Sequence, residues 1–337
     1  MNPAGAAIIL ALLLFGPLIS KWIEHNLEFY CLLLGVAAIT LAGGWRSEVV
    51  LAALTGPIPI SIAVLVAGVL FHLGRNRFDR GFARLRGFVP RPVLTGMMVI
   101  VIAMLSSLIT AIVAALVLVE AVGLLRIHGG ARERVAIAGC FAVGLGAALT
   151  PIGEPLSTLA AQALGLGFLG LFELLAPYVI PGIIACSAVA AYMARGDYES
   201  GVPLIHARAS WIDLVMQAVK VFGFIAGLIF ISEAYAPLAM KYLPLVSTDA
   251  LFWINMASAA LDNATLVAVE IHHLGIDRAR EAILALLISG GMLIPGNVPN
   301  IVSAGALHIR STTWARLGVP LGLILMTLYF GAFKLIG

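Results

Sequence analysis

The sequence is dominated by apolar runs close to 20 residues long, separated by short polar or charged segments. Runs of this length predict transmembrane helices, because about 20 helical residues are needed to cross the hydrocarbon core of a bilayer. Most of the runs predict one simple span each. These spans are residues 4–20, 29–44, 49–72, 168–193, 212–240 and 315–336.

The apolar stretch 92–125 is too long for a single span and has polar residues near its middle. The loop before it holds six arginines against one aspartate, and the loop after it is also basic. Because loops rich in Lys and Arg stay on the cytoplasmic side, this stretch must enter the membrane and return to the same side. It is therefore predicted to be a re-entrant helical hairpin, with its tip near Ser106, Ser107 and Thr110.

Two further apolar stretches, 135–165 and 282–308, are each interrupted by two prolines. Proline breaks a helix in its interior, and unwound backbone at membrane depth is tolerated only where it is buried in protein or lines a wet cavity. The breaks also carry glycine and polar residues that can contact an ion. These are Thr150, Gly153, Glu154 and Ser157 in the first break, and Asn297, Asn300 and Ser303 in the second.

The two halves of the chain repeat each other weakly. "LTPIGEPLSTLA" (149–160) matches "LIPGNVPNIVSA" (293–304) at an offset of 144 residues, and "LITAIVAALVLVE" (108–120) resembles "LDNATLVAVEIHH" (261–273) at an offset of 153. Five predicted crossings separate the starts of the halves, so the second half is inverted in the membrane. An inverted repeat with broken helices in matching positions is typical of a secondary transporter.

In the second half, the stretch 251–271 is the expected counterpart of the first hairpin. It carries Asp262, Asn263 and Thr265 near its middle, and an ionisable residue in an apolar setting is a candidate functional residue. The alternative is that Asp262 caps the second helix of a hairpin whose tip lies near the outer surface. We expect Glu120 and Glu270 to be solvated at the hairpin ends.

Composition supports a polytopic membrane protein. Of the 337 residues, 61% are hydrophobic and 11% are charged, with a mean hydropathy of +1.07, whereas soluble domains are about 25% charged. The N-terminal run lacks a basic flank and predicts a first span rather than a signal peptide. The topology puts 14 Lys and Arg residues in the cytoplasm and five outside, leaves Lys220 within or at the edge of a span, and places the N-terminus outside.

The same residues argue against several other classes of protein. Cys31, Cys140 and Cys186 each lie in an apolar run and form neither a zinc motif nor a disulfide framework. No nucleophile–base pair stands out. We therefore expect no enzyme activity, no cofactor and no nucleic-acid partner.

Three segments carry a resemblance to a known family. "GPLISKWIEHNLE", "PISIAVLVAG" and "GNVPNIVSAGALHIRSTTWARLGVPLG" look like an uncharacterised prokaryotic family labelled predicted cation transporter. The order of hairpins and broken helices resembles the wider ion transporter superfamily, which includes sodium/proton antiporters, arsenite pumps and divalent anion/sodium symporters. The resemblance covers essentially the whole chain, but the Ser-Asn-Thr signature of the anion symporters is missing.

The resemblance implies an all-α inverted-repeat transporter with a fixed scaffold and a mobile transport domain that moves like an elevator. The scaffold would comprise 1–91, 166–246 and 310–337, and the two transport halves 92–165 and 247–309. In relatives the ion sites lie between each hairpin tip and the neighbouring break, which here covers the polar residues named above. The resemblance also implies a homodimer in the bacterial inner membrane.

The leading hypothesis is a Na⁺/H⁺ antiporter with Asp262, Asn297 and Asn300 as possible Na⁺ ligands. Asp262 and Glu154 stand in apolar stretches without an Arg or Lys in either motif, and a carboxylate can bind either a cation or a proton. One alternative is a coupled anion transporter, in which helix N-termini hold an oxyanion or carboxylate. A passive ion channel is the other alternative.

The predicted topology can be tested by cysteine labelling. Single cysteines placed in loop 73–91 and in loop 126–134 should both resist a membrane-impermeant maleimide added to intact cells, because both loops are expected in the cytoplasm. Labelling of only one of them would mean that 92–125 crosses the membrane, and the inverted-repeat hypothesis would then be wrong.

Overall fold

The computed structural model describes most of the chain. The described residues are 3–20, 22–23, 26–58, 61–62, 65–66, 69, 89–125, 127, 129–151, 153–195, 211–242, 245–259, 263–271 and 274–336. Within these ranges every regular element is helical and no β-strand occurs. The predicted all-α class is therefore confirmed.

The chain forms fourteen α-helices in the described ranges. They are α1 (Pro3–Ile19), α2 (Leu27–Ala42), α3 (Ser47–Thr55), α4 (Arg91–Ile109), α5 (Ala111–Leu124), α6 (Gly129–Ala147), α7 (Pro155–Ala163), α8 (Gly170–Met193), α9 (Trp211–Tyr242), α10 (Thr248–Ile254), α11 (Asn263–Glu270), α12 (Ile276–Gly290), α13 (Val298–Leu307) and α14 (Ser311–Ile336). Two short 3-10 turns, Asn255–Ala259 and Ile294–Gly296, follow α10 and precede α13.

Four helical segments among the described residues are long and apolar enough to cross a membrane. They are Arg91–Ile109, Gly170–Met193, Ala218–Leu238 and Ser311–Leu335. The last three coincide with spans predicted from the sequence. The membrane character of the chain is thus supported, while re-entry of α4 and α5 on one side stays a prediction.

Helix α4 ends and α5 begins on either side of Thr110, and the two helices pack against each other. Thr110 has φ 72° and ψ 149°, a backbone conformation that a β-branched residue adopts only under strain. The predicted interruption of the 92–125 stretch is therefore a single residue, at the position expected for the tip.

Both proline-containing stretches are interrupted where the sequence predicts. Helix α6 ends at Ala147 and α7 begins at Pro155, while α12 ends at Gly290 and α13 begins at Val298. Proline stands at the first position of α7 and the second position of α13, where a missing N–H removes no helical hydrogen bond. The prolines thus start the second helix of each pair instead of kinking one continuous helix.

Helices of the two halves pack against each other reciprocally. Helix α5 packs against α13, and α11 packs against α7, so the second arm of each predicted hairpin lies on the post-break helix of the other half. The two pre-break helices, α6 and α12, also contact each other. This arrangement brings both breaks into one central region.

A second group of helices lies around α9, which packs extensively against α2 and also against α3. The α2–α9 crossing is close because it is built on glycine: a Cβ on Gly35 would lie 2.3 Å from the Gly227 carbonyl oxygen, and one on Gly227 would lie 2.5 Å from the Cys31 carbonyl oxygen. Helix α8 instead packs against α4 and α6, and α14 against α6 and α12.

The glycine crossing yields a stability prediction. Gly227→Ala should lower the melting temperature of the purified protein in mild detergent, because its new methyl group overlaps Cys31 backbone atoms at 2.5–2.6 Å. Gly223→Ala is a matched control on the same helix, since its Cβ meets only Leu32 Cδ2 at 3.9 Å. The control should be neutral or stabilising by up to about 1 kcal/mol. Equal melting temperatures for both variants would contradict the close crossing.

Candidate functional site

The break between α12 and α13 is held together by Asn300. This side chain is fully buried, and its Nδ2 donates hydrogen bonds to the carbonyl oxygens of Gly290 at 2.8 Å and Leu293 at 2.9 Å. Carbonyls at the end of a helix lose their helical partners and must find others. The Asn300 amide group supplies them from the first turn of α13. Its Oδ1 is buried and has no hydrogen-bond partner in the described part of the chain.

Asn263, the first residue of α11, lies beside this break. A Cβ on Gly290 would be 2.2 Å from Asn263 Nδ2 and 2.9 Å from the Gly296 carbonyl oxygen. The Asn263 amide therefore occupies the space that a side chain at position 290 would need. Asn263 is 4% exposed. Neither Oδ1 nor Nδ2 has a hydrogen-bond partner among the described residues. We name Asn263, Gly290, Gly296 and Asn300 the amide cluster.

Buried polar atoms without partners are rare, because each one costs about 1–3 kcal/mol. The amide cluster contains two such oxygens, on Asn263 and Asn300, next to unwound backbone. Oxygen atoms of amides and backbone carbonyls are the ligands that hard cations prefer. These two oxygens are therefore candidate ligands for a cation.

The tip between α4 and α5 is held on the first break. The Ala111 N–H donates to the Gly153 carbonyl oxygen at 2.8 Å, and the Thr150 hydroxyl donates to the Ser107 carbonyl oxygen. Ser106 Oγ lies 2.6 Å from the Ala103 carbonyl oxygen and 3.0 Å from that of Val143 on α6. The predicted residues of the first half thus come together.

Thr110 and Asn263 fall at aligned positions of the weak sequence repeat. The sequence offset of 153 residues aligns them, and each stands at the start of the helix that follows the predicted tip. Thr110 Oγ1, like the Asn263 amide atoms, is buried without a hydrogen-bond partner in the described residues. Each of these two aligned positions therefore carries a buried polar side chain without a hydrogen-bond partner in the described residues.

Glu154 and Ser157 lie at the start of α7. Glu154 is 8% exposed and directly precedes Pro155, where the positive end of the helix dipole favours negative charge. Ser157 is fully buried, and its hydroxyl donates to the Ala147 carbonyl oxygen at 3.2 Å across the break. Glu154 is thus a buried carboxyl group of the first half, next to the break.

Two predicted residues of the second break face α6. Asn297 Nδ2 lies 2.8 Å from where a Cβ on Gly144 would stand. The buried Ser303 hydroxyl accepts a hydrogen bond from the Cys140 thiol at 3.1 Å. These contacts tie α13 to the first half, and Ser303 serves the packing of α13 against α6.

Asp262 and the side chain of Thr265 lie outside the described residues. The roles that the sequence suggests for them stay predictions. Among the residues that the structure describes, no group of three or more His, Cys, Asp or Glu side chains is placed to hold a metal ion.

The expectation for Glu270 is wrong. The sequence predicts a solvated side chain, but Glu270 is 3% exposed, and its Oε2 accepts a hydrogen bond from Asn255 Nδ2 at 3.0 Å. The sequence signal was available, because Asn255 and Glu270 both interrupt the apolar stretch 251–271. The sequence does not show, however, that the fold places these two residues side by side.

The sequence also gives no indication that Trp314 supports the second break. It is fully buried on α14, and its Nε1 donates to the Gly291 carbonyl oxygen at 3.0 Å. This bond supports the second break from outside the predicted transport half. An indole N–H of this kind leaves no periodic signal in the sequence.

Residues 4–336 match the profile of a family described as protein of unknown function (DUF1646). The match spans nearly the whole chain, so the chain belongs to this family. No curated protein matches the sequence.

The amide cluster yields a second stability prediction. Asn300→Ala leaves the Gly290 carbonyl oxygen buried without a donor and removes one of the two donors to the Leu293 carbonyl oxygen, and we expect a loss of about 1–3 kcal/mol. Asn297→Ala is the matched control, because that side chain is only partly buried. Thermal unfolding in mild detergent should show a clearly larger loss for Asn300→Ala. Equal losses would contradict the role of Asn300 in holding the break.

Proposed function

We propose that this chain is a secondary active ion transporter that exchanges a cation, most favourably Na⁺, for protons by alternating access. The observation that carries the proposal is the amide cluster. There, two buried amide oxygens without hydrogen-bond partners in the described residues adjoin the unwound backbone of the second break. Unwound carbonyls of discontinuous helices coordinate Na⁺ in transporters built this way.

The packing of the two halves supports alternating access. Each tip lies on a helix break, through the Ala111–Gly153 hydrogen bond in the first half and through Asn263 beside Gly290 in the second. The reciprocal α5–α13 and α11–α7 contacts join the halves around these breaks. Two related halves that meet at discontinuous helices are the usual basis of an inward-open and an outward-open state.

Two carboxyl groups can couple the cation to protons. Glu154 is buried at the first break, and Asp262 directly precedes Asn263 in the sequence. A carboxyl group holds either a proton or a nearby cation, since the neighbouring positive charge favours its ionised form. Competition of this kind makes cation entry drive proton exit.

The proposed mechanism divides the protein into a fixed scaffold and a moving transport part. The tight glycine crossing of α2 with α9 suits a rigid scaffold, and in an elevator mechanism the hairpins and broken helices would slide against it. A homodimer through the scaffold, in the bacterial inner membrane and with the N-terminus outside, completes the proposed arrangement.

A coupled anion transporter is the second candidate. The observation that favours it is Asn263 Nδ2, a buried donor without an acceptor in the described residues. Helices α7 and α13 also begin at the breaks, and helix N-termini attract anions. A passive channel is the third candidate and predicts flux without coupling.

Proteoliposomes test these alternatives. With an imposed Na⁺ gradient, wild-type protein should move protons in the opposite direction, measured with an internal pH dye. Asp262→Asn should abolish this movement, because it keeps the shape but removes the charge that competes for the ions. Glu154→Gln shows whether a second carboxyl group is needed. Glu173→Gln, at an exposed position on α8, is the matched control and should behave as wild type.

Other outcomes of these transport measurements distinguish the antiporter from the anion transporter and the channel. Normal coupling in both Asp262→Asn and Glu154→Gln would exclude these carboxyl groups as coupling residues. Uptake of a dicarboxylate or arsenite without Na⁺/H⁺ exchange would favour the anion transporter. Ion flux that never builds a gradient of the second ion would favour the channel.

A further inference from the structure

Glu270 and Asn255 form a buried polar pair that none of the preceding sites includes. Glu270 ends α11 and is 3% exposed, and Asn255 begins the turn after α10 and is 1% exposed. Asn255 Nδ2 donates to Glu270 Oε2 at 3.0 Å. Glu270 Oε1 is buried and has no hydrogen-bond partner in the described part of the chain. A carboxyl group held in this way has one firmly bound oxygen and one left open.

The pair is connected to the amide cluster by two routes. Ser289 Oγ lies 2.8 Å from the Asn255 carbonyl oxygen and 2.7 Å from that of Ala285. Ser289 directly precedes Gly290, whose carbonyl accepts from Asn300. The second route is α11 itself, which has Asn263 at one end and Glu270 at the other. Seven helical steps of about 1.5 Å put the two ends roughly 10 Å apart.

A charge at Glu270 would be felt at this distance. Two unit charges about 10 Å apart still interact appreciably in a protein interior, where the effective dielectric constant is well below that of water. Glu270 also stands in the last turn of α11, where the helix dipole disfavours a negative charge. An ionised Glu270 is therefore stabilised when a cation occupies the amide cluster, and a protonated one when the cluster holds no cation.

The charged groups on helices around α11 have other contacts. On α9, Glu233 pairs with Arg46 at 3.1 Å and Lys241 lies over the Tyr242 ring. On α12, Asp277 pairs with Arg280 at 3.2 Å, Arg280 lies over the Tyr178 ring, and Arg278 donates to the Val246 carbonyl oxygen.

The remaining charged groups on these helices are Lys220, which is exposed on α9, Glu281, which is partly buried on α12, and Glu154, which precedes α7. The side chains of Asp213, His272 and His273 lie outside the described residues. Among the described residues, only Asn255 forms a hydrogen bond or ion pair with the Glu270 carboxyl group.

We propose that Glu270 carries the exchanged proton, while the cation is held at the amide cluster. This inference rests on the proposed function and assigns its two ions to two places. It gives the proton to Glu270 in place of Asp262 or Glu154, and it keeps Asp262, next to Asn263 in the sequence, as a ligand of the cation, so that Asp262→Asn stops proton movement by weakening the cation site. When a cation binds, the O–H bond of Glu270 breaks and the proton leaves to water on the side to which the site is open. When the cation leaves, a proton from the other side re-forms that bond. One positive charge replaces another, so the buried site never holds an uncompensated charge.

Two measurements in proteoliposomes separate cation binding from proton coupling. The first is exchange of radioactive Na⁺ for Na⁺ at equal pH on both sides, which needs only the cation site. The second is proton movement driven by a Na⁺ gradient. Glu270→Gln keeps an oxygen that accepts from Asn255 but cannot ionise, so it should retain Na⁺/Na⁺ exchange and lose proton movement. Glu173→Gln, the exposed control, should retain both.

Each other result has a definite meaning. Normal proton movement in Glu270→Gln would overturn the inference and leave the proposed function standing. A folded Glu270→Gln variant that loses both activities would also overturn it, because the residue would then belong to the cation site or to the packing. Wild-type protein that moves neither Na⁺ nor protons would overturn the proposed function itself.

If Glu270→Gln does not fold, the variant Asn255→Ala tests the inference instead. It keeps the carboxyl group but removes the amide donor that stabilises its ionised form. The pH at which Na⁺-driven proton movement is half-maximal should then move upward by about one unit. An unchanged midpoint in a folded Asn255→Ala variant would overturn the inference.

Discussion

The structure depends on one constraint, which is that backbone groups freed by a helix break cannot find water in an apolar interior. In this chain, side chains and neighbouring backbone groups provide the missing hydrogen bonds. Asn300 satisfies the Gly290 and Leu293 carbonyls, Trp314 satisfies Gly291, and the Ala111 N–H satisfies Gly153. Polar atoms on Thr110, Asn263 and Asn300, beside the breaks, stay without a hydrogen-bond partner in the described residues, and they are therefore available to a ligand.

Small residues make this arrangement possible. A Cβ on Gly146 would lie 1.9 Å from the Ala103 carbonyl oxygen, and one on Gly153 would lie 1.9 Å from that of Ala147. In the second half the Asn263 amide occupies the place of a side chain at Gly290. Tips and breaks can touch only because these positions lack side chains, so the polar groups of each tip lie close to those of its break.

The two halves are alike in plan and different in chemistry. The first break is held by hydroxyl groups, from Thr150 and Ser157, and has Glu154 beside it. The second is held by an amide, Asn300, and has Asn263 as its open group. Neutral amide oxygens suit a cation that must bind and leave, whereas carboxyl groups suit a proton. The proposed transporter would use this difference to handle two ions.

Some features of this protein are determined by the sequence alone. Prolines at 151, 155, 295 and 299 set both helix breaks, and the long apolar runs set the membrane character, because each signal is local. Other features were decided only by the tertiary structure. Glu270 looked like a solvated helix end, but the turn at Asn255–Ala259 places Asn255 against it and buries both. Asn297 and Asn300 looked equivalent in the sequence, but the fold turns Asn300 back onto α12 and leaves Asn297 facing Gly144. Burial and partnership depend on residues far apart in the chain, and no local pattern of polar and apolar positions records them.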